Sequence, residues 1–140
     1  PLAPLLVDGA IQRGTTLAVD GDAAISLALA LAVGASRSGS WIGVVGVDGL
    51  GLAAAGELGI DLERVVLVAD PGSAWSAAVA ALIGAVDLVV VAPRTAVPAR
   101  DARRLATRGR ERGTVVVAVG GDVLHGAPCD VLSVRLKASD

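Results

Sequence analysis

Several side chains on which functional sites are commonly built are scarce in this chain. It contains no phenylalanine, tyrosine or methionine, and it has one cysteine (Cys129), one histidine (His125) and one lysine (Lys137). A single cysteine excludes an internal disulfide framework and is typical of a reducing compartment such as the cytoplasm. Cys129 and His125 lie in one short segment, and because structural zinc requires four ligands, we expect no metal site there.

Long hydrophobic runs are missing as well. The longest apolar stretch, from Ala23 to Gly34, is interrupted by Ser26 and is shorter than the roughly 20 residues that span a membrane. What the sequence does have is an aliphatic majority, since 54% of its 140 residues are hydrophobic. We therefore expect a single cytoplasmic domain over residues 1–140. Because the sequence begins at Pro1 rather than methionine, we expect it to be a piece of a longer chain.

Strand and helix patterns alternate along the chain. Branched runs such as residues 89–91 and 115–117, both VVV, are typical of parallel strands that are buried on both faces. This alternation predicts an α/β fold, a doubly wound, mostly parallel sheet with helices on both faces. The predicted strands are Thr15–Val19, Trp41–Val47, Val65–Ala69, Leu88–Ala92, Thr114–Val119 and Asp130–Leu136. The predicted helices are Ala24–Ala35, Gly51–Leu58, Ala74–Gly84 and Pro98–Arg112.

The turn after the first predicted strand, Asp20–Ala23, contains glycine but no lysine. A phosphate-binding loop uses glycines to turn backbone N–H groups toward the phosphate. It also uses a lysine for the β- and γ-phosphates and a serine or threonine for the metal. Here the glycine-containing turn between a strand and a helix is present without the lysine and the hydroxyl. We therefore expect a domain that holds no nucleotide cofactor and works by binding other macromolecules.

Five aspartates lie at or just after the carboxyl ends of predicted strands, the edge at which open α/β sheets bind ligands. Such carboxylates are the ligands that Mg²⁺ prefers. Alternatively, Asp22 and Asp70 cap the helices that follow them, which contributes about 1 kcal/mol each. Capping is favoured, because no lysine or hydroxyl stands nearby to position a phosphate. The five are Asp20, Asp22, Asp48, Asp70 and Asp122.

The predicted helix Pro98–Arg112 is rich in arginine. Residues 94–112 carry a net charge of +5, whereas the remainder of the chain carries −7. At about 100° per residue the arginines share one broad face, opposite a stripe of alanine, leucine and glycine. That face is a solvated surface, a protein-binding surface or a DNA-binding surface. DNA is disfavoured, because no aromatic side chain interleaves with the arginines to stack on bases.

We take the arginines of this region and one tryptophan as candidate partner-binding residues. Trp75 is favoured over Trp41, because it follows an exposed turn in the first turn of its helix. The candidates are Arg94, Arg100, Arg103, Arg104, Arg108, Arg112 and Trp75.

Four segments resemble the core of the RecA-type recombinases. Residues 9–21 (GAIQRGTTLAVDG) resemble the lead-in to that family's Walker A loop. Residues 57–68 (ELGIDLERVVLV), 84–91 (GAVDLVVV) and 131–136 (VLSVRL) are similar to three further motifs of the family. The resemblance covers most of the chain and implies a RecA-like core. It also implies that the family's DNA-binding loop is cut down to residues 120–129.

The same resemblance implies that the ATPase groups are missing. Ala24 falls where the Walker A lysine belongs, and Ile25 where the metal-binding hydroxyl belongs. The Walker B aspartate falls on Ala92 and the catalytic glutamate on Val47, while the ring that packs on adenine falls near Ala54. The resemblance therefore implies a pseudo-ATPase with no catalytic residues.

A narrower resemblance is to the actinobacterial ImuA-prime family, accessory proteins of the mutagenic DNA-repair mutasome. Residues 50–64 (LGLAAAGELGIDLER), Ala69–Gly72 (ADPG) and the arginine-rich helix carry it. That family implies a non-catalytic adapter in translesion synthesis during the SOS response to DNA damage. The implied partners are an ImuB-type Y-family-like protein and an error-prone C-family polymerase. Two alternatives stay open: a RecA-like protein whose nucleotide or DNA binding is completed by a partner, and a SulA-like inhibitor that binds a target protein.

Overall fold

Strands and helices alternate from β1 to β5 in the described part of the chain. The structure is a computed structural model that describes residues 13–21, 24–46, 49–70, 72–92, 97–119 and 135–136. In these ranges the strands are β1 (Thr16–Gly21), β2 (Ile42–Val45), β3 (Val65–Val68), β4 (Leu88–Val91), β5 (Val115–Val119) and β6 (Arg135–Leu136). The α-helices are α1 (Ala24–Arg37), α2 (Gly49–Leu58), α3 (Trp75–Leu82) and α4 (Ala99–Arg112).

The strands form one sheet in the order β3-β2-β4-β5-β1-β6. Every neighbouring pair is parallel, and helices α1 to α4 connect the successive strands from β1 to β5. Helix α1 packs on one face and contacts α2, while α3 and α4 cover the other face. The predicted doubly wound, parallel α/β sheet is therefore confirmed.

Two apolar cores, one on each face, explain the continuous hydrophobic strands. Val90 and Val117 belong to the core under α1, whereas Val89 and Val116 belong to the core under α3 and α4. All four are at most 1% exposed, so successive residues of one strand are buried on opposite sides. Each such side chain contributes about 1.5–3 kcal/mol by leaving water.

The largest boundary difference concerns α3. The pattern predicts a helix over Ala74–Gly84, but Gly72–Ala74 form a separate 3-10 turn and Ile83 is already extended. The predicted capping of this helix by Asp70 is wrong, because its N-cap residue is Ala74, without a side-chain bond. The inserted turn moves the first helical N–H groups out of reach of the carboxylate.

Helix α4 ends at a glycine in the left-handed conformation. Gly113 adopts the left-handed conformation at φ +71° and its N–H bonds to the carbonyl of Gly109, as expected of a glycine after a helix. Pro98 stands one residue before the helix as its N-cap. No helix of the described residues is both long and apolar enough to cross a membrane.

Candidate partner-binding surface on helix α4

Helix α4 lies close to the sheet because its inner side chains are small. The residues it buries are Ala102, Leu105, Ala106 and Gly109. A Cβ atom at Gly109 would lie 3.2 Å from both the carbonyl oxygen of Thr114 and a methyl carbon of Val116. That is tighter than ordinary contact, so α4 approaches β5 more closely than a larger side chain would allow. The arginines are consequently directed away from the sheet.

The predicted arginine face is largely present. Arg100, Arg103, Arg104 and Arg112 are exposed, and Arg110 on the edge of the face is exposed too. Arg94 lies outside the described residues. We refer to the described arginines of α4, with Arg108, as the arginine face.

Arg108 differs from the other arginines of this face. It is half-buried, and its Nε–H donates to the carbonyl oxygen of Ala80 on α3 at 2.9 Å. This bond links the two helices that cover one side of the sheet, so Arg108 is a structural residue as well as a charge. Its contact with α3 was not visible in the sequence, because helical periodicity places a residue on a face without naming its neighbour.

A groove of about 660 Å³ runs between α3 and α4. Apolar groups of both helices line it, with Ala77 and Ala80 from α3 and Leu105 from α4. Charged side chains of both signs line it too: Asp101, Arg103, Arg104, Arg108 and Glu111. The Ser76 hydroxyl lies 3.5 Å from a carboxylate oxygen of Asp101 across the groove. The groove therefore combines apolar groups with three arginines and two carboxylates.

The charges of the arginine face are uncompensated within the described part of the chain. The ion pairs found there join Arg13 to Asp87 at 3.3 Å and Arg64 to Asp61 at 4.0 Å. Neither pair involves α4, although Asp101 and Glu111 lie on the same helix. The face therefore carries a local positive field, which favours association with an acidic surface.

Trp75 does not have the exposure that its sequence position suggests. It is half-buried and packs against the core under α3 and α4. Its indole N–H is buried and finds no acceptor among the described residues. Trp41, in contrast, is 44% exposed. The turn before Trp75 is exposed, as the sequence predicts, but the Trp75 ring itself is less exposed than that of Trp41. The choice of Trp75 as a partner-binding residue stays a prediction.

Two positions at which the resemblance implies a lost ATPase residue lie within the described residues, and both are alanines. Ala92 follows β4, is half-buried, and its N–H donates to the carbonyl of Val45 at 2.9 Å. Its own carbonyl oxygen lies so close to the Cα of Gly46 that no Cβ would fit there. Ala54, on α2, is exposed. Neither alanine can ligate a metal or stack on a base.

Other positions singled out at this edge lie outside the described residues. They are Asp22, Val47, Asp48, Asp122, His125 and Cys129, together with the side chains of Asp20, Ala24 and Ile25. Within the described part of the chain, no three histidine, cysteine or carboxylate side chains come together as a metal site would require. Asp70 lies within the described residues and is exposed. It makes no hydrogen bond or ion pair with another described residue.

Comparison with known proteins assigns the chain to a family. The model of the MT3502 N-terminal domain matches residues 4–125. The chain belongs to the MT3502 N-terminal domain family. An uncharacterized protein of Mycobacterium tuberculosis (strain ATCC 25618 / H37Rv), Rv3395c, is 35% identical to it over 99 residues, which are 69% of this chain and 48% of that protein. This MT3502-type domain thus spans about half the length of the curated relative it matches.

Proposed function

We propose that this MT3502-type domain is the RecA-like core of a non-catalytic adapter of the ImuA-prime kind. In this proposal it acts in mutagenic translesion synthesis by binding other proteins. The observation that carries the proposal is the arginine face of α4, whose charges have no ion-pair partner in the described residues. An interaction surface of this kind needs no catalytic group, and arginine is among the residues most enriched at interface anchors.

The absence of ATPase chemistry at Ala92 and Ala54 supports the non-catalytic part of the proposal. A Walker B position must offer a carboxylate to the metal, and Ala92 offers a methyl group beside a carbonyl that is already crowded by Gly46. Restoring an aspartate at one position would still leave Ala24 and Ile25 where the resemblance implies the lysine and the metal-binding hydroxyl. In this proposal the domain keeps the α/β fold and binds other proteins through its outer surfaces.

An acidic protein surface is the partner that the groove fits best. Arg103 and Arg104 line the groove together with Ala77, Ala80 and Leu105, so a partner can bury apolar side chains while its carboxylates pair with guanidinium groups. Such pairs are strong when they are bidentate and partly desolvated. We propose that an ImuB-type protein or an error-prone C-family polymerase supplies this surface.

The binding hypothesis is tested by a charge reversal with a matched control. Arg104→Glu reverses one exposed charge in the groove, and Arg37→Glu makes the same change at the exposed end of α1, on the other face of the sheet. We expect Arg104→Glu to weaken binding to an ImuB-type protein or the polymerase about tenfold, and Arg37→Glu to leave it within about twofold. Equal affinities of the two variants for every partner tested would remove α4 from the interface.

The non-catalytic hypothesis is tested by titrating the protein with ATP and Mg²⁺ by calorimetry. We expect no saturable binding in the micromolar range. Micromolar affinity would overturn the pseudo-ATPase proposal and favour a RecA-like protein completed by a partner. Duplex DNA is titrated as a further ligand. Binding through phosphate contacts is recognised by an affinity that falls steeply as the salt concentration rises. Tight, salt-sensitive DNA binding that is lost in Arg104→Glu would assign the face to nucleic acid, and selective binding to a division GTPase would favour the SulA-like alternative.

A further inference from the structure

The charged wall of the groove between α3 and α4 has a definite order of signs. Asp101, Arg104, Arg108 and Glu111 all line the groove, and all belong to α4. At about 100° per residue, their sequence positions place them within about 80° of one another around the helix. They therefore form one stripe along α4, with a carboxylate at each end and two guanidinium groups between them. We refer to these four residues as the charge stripe.

The charges of the charge stripe do not pair with one another. Asp101 and Arg104 are three residues apart, as are Arg108 and Glu111, yet the ion pairs of the described residues involve none of the four. Arg104 and Glu111 are exposed. Arg108 donates from Nε to the carbonyl of Ala80, but its terminal N–H groups make no hydrogen bond with a described residue. All four charges can therefore pair with a ligand in the groove.

The opposite wall of the groove carries no charge. It is formed by Ser76, Ala77 and Ala80 of α3, a helix whose sequence WSAAVAAL contains no charged residue. The Ser76 hydroxyl is the polar group of this wall, and it lies 3.5 Å from the Asp101 carboxylate. A ligand in the groove thus meets ordered charges on one side and small, mostly apolar groups on the other.

The spacing of the charge stripe indicates which kind of segment matches it. At a rise of 1.5 Å per residue, its charges lie about 4.5, 6 and 4.5 Å apart along α4. A second helix reproduces these intervals with residues at i, i+3, i+7 and i+10. An extended strand directs side chains to one face only about every 6.6 Å and does not match them. A phosphate backbone is opposed by a carboxylate at each end of the stripe.

We propose that the groove binds an amphipathic helix of the partner whose charges run positive, negative, negative, positive at i, i+3, i+7 and i+10. Its two central carboxylates pair with Arg104 and Arg108, and its outer basic side chains pair with Asp101 and Glu111. Its aliphatic face packs on α3. A helix laid in a groove is a recurring mode of recognition. This inference rests on the function proposed above, because it specifies the acidic surface of the partner.

The two carboxylates of the charge stripe make the groove selective. A uniformly acidic helix pairs with the arginines but brings a carboxylate against both Asp101 and Glu111. Like charges that face each other across an interface disfavour the wrong partner. Arg103 also lines the groove and adds a positive charge next to Arg104, which strengthens the preference for carboxylates at the centre of the ligand.

The test uses three synthetic peptides, titrated against the full chain by fluorescence anisotropy. All three are held helical by the same side-chain cross-link and differ only at the four charged positions. The matching peptide carries Lys, Glu, Glu and Lys in that order, the inverted peptide carries Glu, Lys, Lys and Glu, and the acidic peptide carries Glu at all four. We expect the inverted peptide to bind on the order of tenfold more weakly than the matching peptide, and the acidic peptide about fivefold more weakly.

Glu111→Arg should change this preference in a defined direction. It should strengthen binding of the acidic peptide and weaken binding of the matching peptide, by about fivefold each. A positive charge in the last turn of a helix is compatible with the helix dipole, so the fold is retained. Glu63→Arg makes the same change of charge at an exposed position just before β3. It is the control, and it should leave both affinities unchanged.

Equal binding of the three peptides would overturn this inference, as would a preference that Glu111→Arg does not alter. Failure of all three peptides to bind would overturn it as well. In each of these cases the proposed function stands if Arg104→Glu still weakens binding to an ImuB-type protein or the polymerase. If Arg104→Glu instead weakens binding of the matching peptide but of neither protein, the helix-binding groove is correct and the proposed partners are wrong.

Discussion

Arg108 and Arg104 lie one helical turn apart on α4, yet we expect their removal to have different consequences. Arg108 is half-buried and donates from Nε to the carbonyl of Ala80 at 2.9 Å, whereas Arg104 is exposed and makes no hydrogen bond with a described residue. A hydrogen bond from a charged donor contributes roughly 1.5–3 kcal/mol. Partial exposure of the guanidinium screens its charge and lowers the contribution to about 1–2 kcal/mol.

Arg108→Ala should therefore lower the free energy of unfolding by about 1–2 kcal/mol, while Arg104→Ala should change it by less than about 0.5 kcal/mol. Urea denaturation followed by circular dichroism measures both, and a constant slope would show that the denatured state is unchanged. Arg108→Lys is the informative third variant. It keeps the charge but lacks the planar Nε–H donor, so most of the loss should persist.

The outcome that refutes this reasoning is equal stability of the Arg104→Ala and Arg108→Ala proteins. Full stability of Arg108→Lys would show that charge alone matters at this position. Equal stability of the two alanine variants would return Arg108 to the set of purely solvated arginines. Its effect on partner binding could then be interpreted without a correction for stability.

Two further predictions concern buried backbone contacts. Thr114 is 1% exposed, and its hydroxyl accepts from the N–H of Gly84 at 2.9 Å and donates to the carbonyl of Val86 at 3.1 Å. Thr114→Val should cost about 2–3 kcal/mol in the free energy of unfolding, because it leaves buried polar groups unpaired. Thr114→Ser keeps both bonds and should cost about 1 kcal/mol; a larger loss for serine in urea denaturation would contradict this. Gly46→Ala combines φ +86° with a clash against the carbonyl of Ala92. It should lower the melting temperature measurably, at about 1–2 kcal/mol from the backbone conformation alone, and an unchanged melting temperature would contradict it.

The class of fold was predictable because burial on both faces leaves a direct signature in the sequence. A strand such as Leu88–Val91, with all four side chains buried, must be apolar throughout, and a helix such as α4 must show periodicity. The left-handed glycine at 113 was predictable for the same local reason, since few other residues tolerate φ +71°. These features depend on residues that are close in sequence.

Features that depend on distant residues were not predictable in this way. The sequence shows that Thr114 follows a helix, but not that its hydroxyl lies between the N–H of Gly84 and the carbonyl of Val86, each 28 or 30 residues away. In the same way, charge and periodicity predicted the arginine face but not the attachment of Arg108 to α3. The half-burial of Trp75 depends on its packing against the core under α3 and α4, which its place after an exposed turn does not reveal.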